Sequence, residues 1–251
     1  QDLCNISRDF NITYSTKRHK DDAVSVSLWV DEMRNLGEDS PILYYKAQDV
    51  DDDDNSCLEV KDFALIIMSK FQAQQIIKFG PDKICVDGTH GTNAYDFQLH
   101  TLMTVDEYGT GCPVAYCFSN RADEMIFKLF FSQIKSKVGV IKPEIFMSDD
   151  APAYYNAWSI IMGDVPHRLL CTWHVDRNWR KNLCKIKGGP EKKSLVYKTL
   201  RVLLQITSVD EFKTCQDQVI NDLLKDEDTH AFGIYFKDNY SKRSEVWAYC
   251  Y

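Results

Sequence analysis

Residues 84–93 read ICVDGTHGTN, an apolar run that ends in Asp87 and passes at once to Gly, Thr, His and Gly. The first half has the composition of a short buried strand. The second half allows two readings. Asp-Gly is the strongest short-range turn signal, so Asp87 can belong to a turn. It can also be a ligand-binding acid, because open α/β sheets bind ligands just beyond the carboxyl ends of their strands. What decides between them is whether the chain supplies a second acid in a matching place.

Downstream, the pattern is regular. Lys83–Val86 reads as a strand ending at Asp87, and Phe97–Val105 is rich in strand formers. Glu107, Tyr108 and Gly109 turn the chain back into Cys112–Phe118. Ala122–Val138 then carries Ile126, Leu129, Phe130, Ile134 and Val138 at helical spacing, with Asn120 before it and Gly139 to end it. Glu144–Met147 is a fourth strand that runs into Ser148, Asp149 and Asp150. A helix over Ala151–Met162 and a last strand over His167–Trp173 complete the order. From Asn178 the chain reads as mainly helical, with Gly188-Gly189-Pro190 as a break.

Upstream, the signals are weaker. A helix is predicted over Asp21–Leu36, a short strand over Ile42–Tyr45 and another over Phe63–Met68. Ser69 can cap a helix that Gly80-Pro81 terminates. Between them, Asp49–Asn55 holds five aspartates in seven residues and is expected to be an exposed loop, since such a block repels itself.

Length and composition fit one large globular domain or two small ones and exclude a fibrous or wholly disordered chain. No apolar run approaches the roughly 18–20 residues that cross a bilayer, and no basic-then-apolar leader is visible, so a soluble intracellular protein with no membrane partner is expected. Nine scattered cysteines, odd in number and without a Cys-x-x-Cys, read as reduced thiols of a cytosolic or nuclear protein. The formal net charge is −7, yet Arg177–Arg201 holds nine basic residues and one acid, Glu191. That segment, including Arg177, Arg180, Lys181, Lys185 and Lys187, is either a solvated helix face or a surface that steers toward phosphates.

Asp149 is the second acid that Asp87 requires. Both stand at a strand end, and if the strands are neighbours both carboxylates leave the sheet at one edge. Two carboxylates held close ionise together only with a cation between them, and Mg²⁺ or Mn²⁺ suits an oxygen donor set. Two such ions about 4 Å apart would activate a water or 3′-hydroxyl and steady the leaving oxygen of a phosphodiester. The competing reading is a pair of ordinary turn and cap residues. Cys171 and His174, in LLCTWHVDRNW, form a Cys-x-x-His. Zinc is a candidate there, but a structural zinc site takes four ligands and no second Cys/His pair is obvious, so a buried Cys with a locally bonded His stands beside it.

Three stretches, ICVDGTHGTN, MSDDAPAYYNAW and CTWHVDRNW, with 62 residues from Asp87 to Asp149 and 22 from Asp149 to Cys171, together resemble the Mutator-like element (MULE) transposases. The likeness is closest to the animal type related to domesticated SWIM zinc-finger proteins. It covers roughly residues 63–179 well and the ends more loosely. The resemblance implies a ribonuclease H-like α/β fold, a mixed five-stranded sheet flanked by helices, and an Asp-Asp-Glu triad that binds two divalent ions for DNA cleavage and transfer. By position, Asp87 matches the first acid and Asp149 the second, with Asp150 as the alternative; Cys171 and His174 match the family's Cys-x-x-His.

The chain departs from the family at the third acid. The family's glutamate follows a helical insertion in an Asn-rich context, which neither Glu211 nor Glu245 has, and the expectation is that it lies beyond Tyr251. No Cys/His spacing of a terminal-repeat-binding module is present in the first eighty residues. The organisation expected is an N-terminal α+β extension over 1–80, the transposase core over 81–176 and a helical insertion over 177–251, truncated before the third acid. The function expected is a nuclear, metal-dependent DNA transposase in an incomplete or inactive copy, acting on transposon ends and target DNA and able to assemble as a homo-oligomer. The alternatives are a domesticated, non-catalytic DNA-binding or protein-interaction protein on the same fold and, less suited to the Cys-x-x-His and helical tail, a nuclease of RNA–DNA hybrids.

Overall fold

The computed structural model describes residues 17–51 and 58–251. Most of the aspartate block of the sequence reading lies outside the described residues. The chain divides into two compact units: the first holds the chain up to Glu144 together with Pro152–Asp164, and the second holds Ile145–Ala151 with Val165–Tyr251.

The first unit contains α1 (Asp22–Arg34), β1 (Ile42–Lys46), β2 (Ala64–Ile67), α2 (Lys70–Phe79), β3 (Lys83–Thr89), β4 (Gln98–Val105), β5 (Gly111–Ser119), α3 (Glu124–Val138) and α4 (Pro152–Met162). Its strands lie in the order β1-β2-β5-β4-β3, every pairing antiparallel. In the second unit β6 (Ile145–Ser148) pairs in parallel with β7 (His167–Leu170). Four helices follow, α5 (Thr172–Asn182), α6 (Pro190–Gln205), α7 (Val209–Lys225) and α8 (His230–Tyr240), then a short 3₁₀ segment, Ser241–Val246.

The class is therefore mixed α/β, with helices flanking a mixed sheet of seven strands rather than the expected five. The additional two are β1 and β2, read from the sequence as strands of a separate extension. Pairing of β2 with β5, from Ala64 opposite Ser119 to Ile67 opposite Tyr116, joins them to the sheet and covers an edge that β5 would otherwise leave open.

Local signals account for most helix ends. The Ser69 hydroxyl accepts from the Gln72 amide while the Gln72 side chain accepts from the Ser69 amide, a capping box that starts α2. Asp123, not Asn120, caps α3, its carboxylate accepting from the amides of Met125 and Ile126. Asn120 instead accepts from the Phe63 amide and donates to the Lys61 carbonyl, tying β5 to the segment before β2. Gly139 ends α3 at φ +81°, a left-handed conformation that a side chain would disfavour. The inner face of α3 buries Ile126, Phe127, Phe130, Phe131 and Ile134; against it α4 sets Tyr154, stacked on Phe127 at 4.1 Å, and Trp158, edge-on to Phe131 at 5.2 Å.

In the second unit Leu170, Val175, Trp179, Leu200, Leu203, Phe212, Phe232, Phe236, Tyr240 and Trp247 form one core. Trp179 meets Trp247 at right angles with ring centres 5.4 Å apart. Among the described residues no helix is long and apolar enough to cross a membrane, and no disulfide links the seven described cysteines.

Candidate functional site

Asp87 does not sit in a turn. β3 continues through it to Thr89, with Asp87 opposite Thr101, Gly88 opposite His100 and Thr89 opposite Leu99 on β4. The local preference of Asp-Gly for a turn yields to six paired residues on β4, and the chain reverses only later, with Gly91 at φ +70°. Strand alternation buries Ile84 and Val86 on one face and puts half-buried Asp87 on the other.

Gly88 shares the face of Ile84 and Val86, and its lack of a side chain is used. A Cβ there would stand 2.7 Å from the Tyr154 hydroxyl and 3.2 Å from Nδ1 of His100, closer than such atoms approach. His100 is buried on β4, 2.7 Å from the Tyr154 oxygen through Nδ1 and 3.4 Å from the Arg121 carbonyl through Nε2. A carbonyl only accepts, so Nε2 carries the proton and Nδ1 accepts from the Tyr154 hydroxyl. Burial holds the ring neutral and lowers its pKa to about 4. The sequence reading missed this pair; its one signal was a histidine in the inward register of β4, alternating with Leu102 and Thr104.

Asp149 follows the last residue of β6 and accepts from the Ala151 amide, an Asx turn that leads into α4. Asp150 is bound otherwise. Arg243 donates to both its oxygens, at 2.6 and 2.5 Å, and also lies 5.8 Å from the Tyr240 ring centre. A bidentate guanidinium partner makes Asp150 a structural ion pair. Arg243 carried no signal in the sequence, because its partner is 93 positions away.

The parallel register sets Ser148 opposite Leu170, so Asp149 and Cys171 leave β6 and β7 at the same level. The Cys171 amide donates to the Ser148 carbonyl at 2.8 Å. The structure thus brings the Cys-x-x-His to the second aspartate. The strand expected to reach Trp173 stops at Leu170: Cys171 is the N-cap residue of α5, and Trp173 and His174 belong to that helix. Among the described residues no group of three His, Cys, Asp or Glu side chains is arranged to hold a metal. That does not fit a four-ligand structural zinc at Cys171 and His174. Asp87 and Asp149 offer carboxylate oxygens, the donor type that Mg²⁺ and Mn²⁺ take. Glu211, in the first turn of α7, and Glu245, in the 3₁₀ segment, are both exposed.

The cationic segment sorts into engaged and available charges. Asp176, 5 % exposed on the inner face of α5, takes hydrogen bonds from Tyr197 at 2.8 Å and Arg201 at 3.1 Å and pairs with the Arg180 guanidinium at 2.9 Å. Lys192 bridges Asp226 and Asp228. Arg177, Lys181, Lys185 and Lys187 are exposed, Arg177 lying 5.2 Å from the ring centre of Trp173 and Lys185 5.9 Å from that of Tyr235.

No curated protein matches the chain. The stretch from the first residue of β3 to the middle of α5 includes Asp87, Asp149, Cys171 and His174, and over it, residues 83–178, the chain matches the family model described as MULE transposase domain.

Proposed function

We propose that this domain is the catalytic part of a DNA transposase, that its sheet is of the ribonuclease H-like kind, and that Asp87 and Asp149 are the carboxylates that hold a divalent cation. The observation that carries the reading is the family match over 83–178, a range that includes both Asp87 and Asp149. It is supported by the locations of the two acids: Asp87 on the outward side of a paired strand, and Asp149 at the end of β6, next to an Asp150 already satisfied by Arg243. Bound Mg²⁺ or Mn²⁺ would supply charge neutralisation at the phosphodiester and lower the pKa of an attacking water. The protein's part is to fix the two acids on strands, and Arg243 contributes by keeping Asp150 out of the donor set. Arg177, Lys181, Lys185 and Lys187 would run along the DNA backbone, with Arg180 shared between phosphate and Asp176. A nuclear location belongs to the same proposal.

The test is a Mn²⁺ titration of the wild type, Asp87→Asn and Asp149→Asn, read by calorimetry, with nicking of a supercoiled plasmid measured in parallel. Each variant should lose at least tenfold in Mn²⁺ affinity, and any nicking by the wild type should disappear. Equal affinity in all three proteins would remove the metal assignment and leave the alternative, a DNA-binding or protein-interaction platform without catalysis.

A further inference from the structure

One tryptophan of the second unit is not spent on its core. Trp179 and Trp247 are at most 2 % exposed, whereas Trp173, in the first turn of α5, is 56 % exposed. Leaving an indole in water forgoes a large burial gain, and here the surrounding chemistry is cationic. Trp173, Arg177 and Lys181 are spaced four and eight residues along α5, so they share one face, opposite buried Val175, Asp176 and Trp179. Arg177 lies over the indole at 5.2 Å, and the His174 ring meets it edge-on at 4.8 Å. An exposed aromatic face followed by a row of cations at roughly 6 Å intervals along a helix matches the alternation of flat bases and phosphates in a nucleic-acid strand. It does not match duplex DNA, whose bases are stacked on each other and offer no free face.

We propose that Trp173 is a stacking site for an unpaired base of single-stranded DNA, with Arg177 and Lys181 on the adjoining phosphates. The site deepens the transposase reading and rests on it for the choice of DNA as the partner: it assigns α5 the handling of a strand whose base has left the duplex. Base–aromatic stacking contributes about 1–3 kcal/mol per base, or roughly 5- to 150-fold in affinity.

The experiment measures fluorescence anisotropy of a labelled oligo-dT and of a duplex of equal length with the full chain, without metal. Trp173→Ala should weaken oligo-dT binding at least fivefold and leave duplex binding within about twofold, while Trp173→Phe keeps most of the single-strand affinity. Lys181→Ala should weaken both ligands. Trp158, Trp179 and Trp247 are buried and Trp29 is half-buried on α1, so oligo-dT should quench the wild type's fluorescence much more than that of Trp173→Phe, which reads the contact without truncating the side chain. Equal loss for both ligands, no loss for either, or unchanged quenching in Trp173→Phe overturns the stacking site. If the wild type binds neither ligand, the transposase reading falls with it; if Mn²⁺-dependent nicking persists while single-strand discrimination does not depend on Trp173, this inference alone falls.

Discussion

At the scale of single residues, the most informative group outside the acids is His100. Its neutral ring, bonded by the Tyr154 hydroxyl and buried under β3 beside Gly88, ties the interior of the first unit to the strand that carries Asp87. The linkage with pH has a definite sign. The folded pKa is depressed by burial to about 4, below the ordinary value of 6.5. Above pH 6.5 the ring is neutral in both states and costs nothing. As pH falls through 6.5 the unfolded chain takes up a proton that the folded one refuses, so stability declines down to about pH 4 and the penalty is constant below it. The full penalty is about 3 kcal/mol at 1.36 kcal/mol per pH unit of displacement. His100→Asn, compared with wild type by urea unfolding at a series of pH values, should lack this part of the decline. The carboxylates that titrate near pH 4 cancel in the difference between the two proteins. Parallel stability curves from pH 7 to pH 4 would show that His100 is not held neutral.

At the scale of elements, α5 is fastened to α6 by a charge cluster rather than by apolar contact alone. Asp176 on α5 is nearly buried and is compensated twice, by Arg180 one turn along its own helix and by Arg201 from α6. Either arginine alone can keep the carboxylate paired, so Arg180→Ala and Arg201→Ala should each cost about 1 kcal/mol or less. The double variant leaves the charge with only the Tyr197 hydroxyl and should cost about 3 kcal/mol, more than the sum. Urea unfolding of the four proteins measures the coupling; strict additivity would mean that the two pairs are independent surface contacts. This scale also marks how far the sequence could be read. The helices α2, α3 and α4 and the strands β4 and β5 were legible within a few residues, because apolar periodicity and cap chemistry are local properties. So was the position of Asp149 just past the end of β6. Joining β1 and β2 to the sheet was not, since Ala64 and its partner Ser119 lie far apart in the sequence and their pairing leaves no local trace. The extension of β3 through Asp87-Gly88 and the start of α5 at Thr172 failed for a related reason. In both places a local propensity, a turn in one case and an apolar run in the other, gave way to partners elsewhere in the chain: β4 for the first, and for the second the core around Trp179. The Arg243–Asp150 pair belongs to the same class.

At the scale of the whole molecule, the charge balance sets the terms for the DNA contact proposed above. The chain carries a formal −7, so any affinity for a polyanion has to come from a local excess of cations. The structure narrows that excess, for Lys192 is bound to Asp226 and Asp228, and Arg180 and Arg201 are bound to Asp176. Arg177, Lys181, Lys185 and Lys187 remain exposed on the segment that follows the Cys-x-x-His. Each phosphate that such a side chain neutralises releases counterions and adds about 0.9 to the slope of log affinity against log salt on duplex DNA. Four contacts give a slope between about −3 and −4, and Lys181→Ala or Lys187→Ala should each reduce it by about one. Lys192→Ala should leave the slope as it is and instead lower the unfolding free energy slightly, because that ammonium is occupied within the fold. Anisotropy titrations of a labelled duplex from 50 to 200 mM salt, the range over which such dependence is steep, distinguish the two classes of lysine. A slope near zero in the wild type would mean that the cationic face is a solvated helix surface, and a change of slope in Lys192→Ala would mean that the ion pairs with Asp226 and Asp228 open when DNA binds.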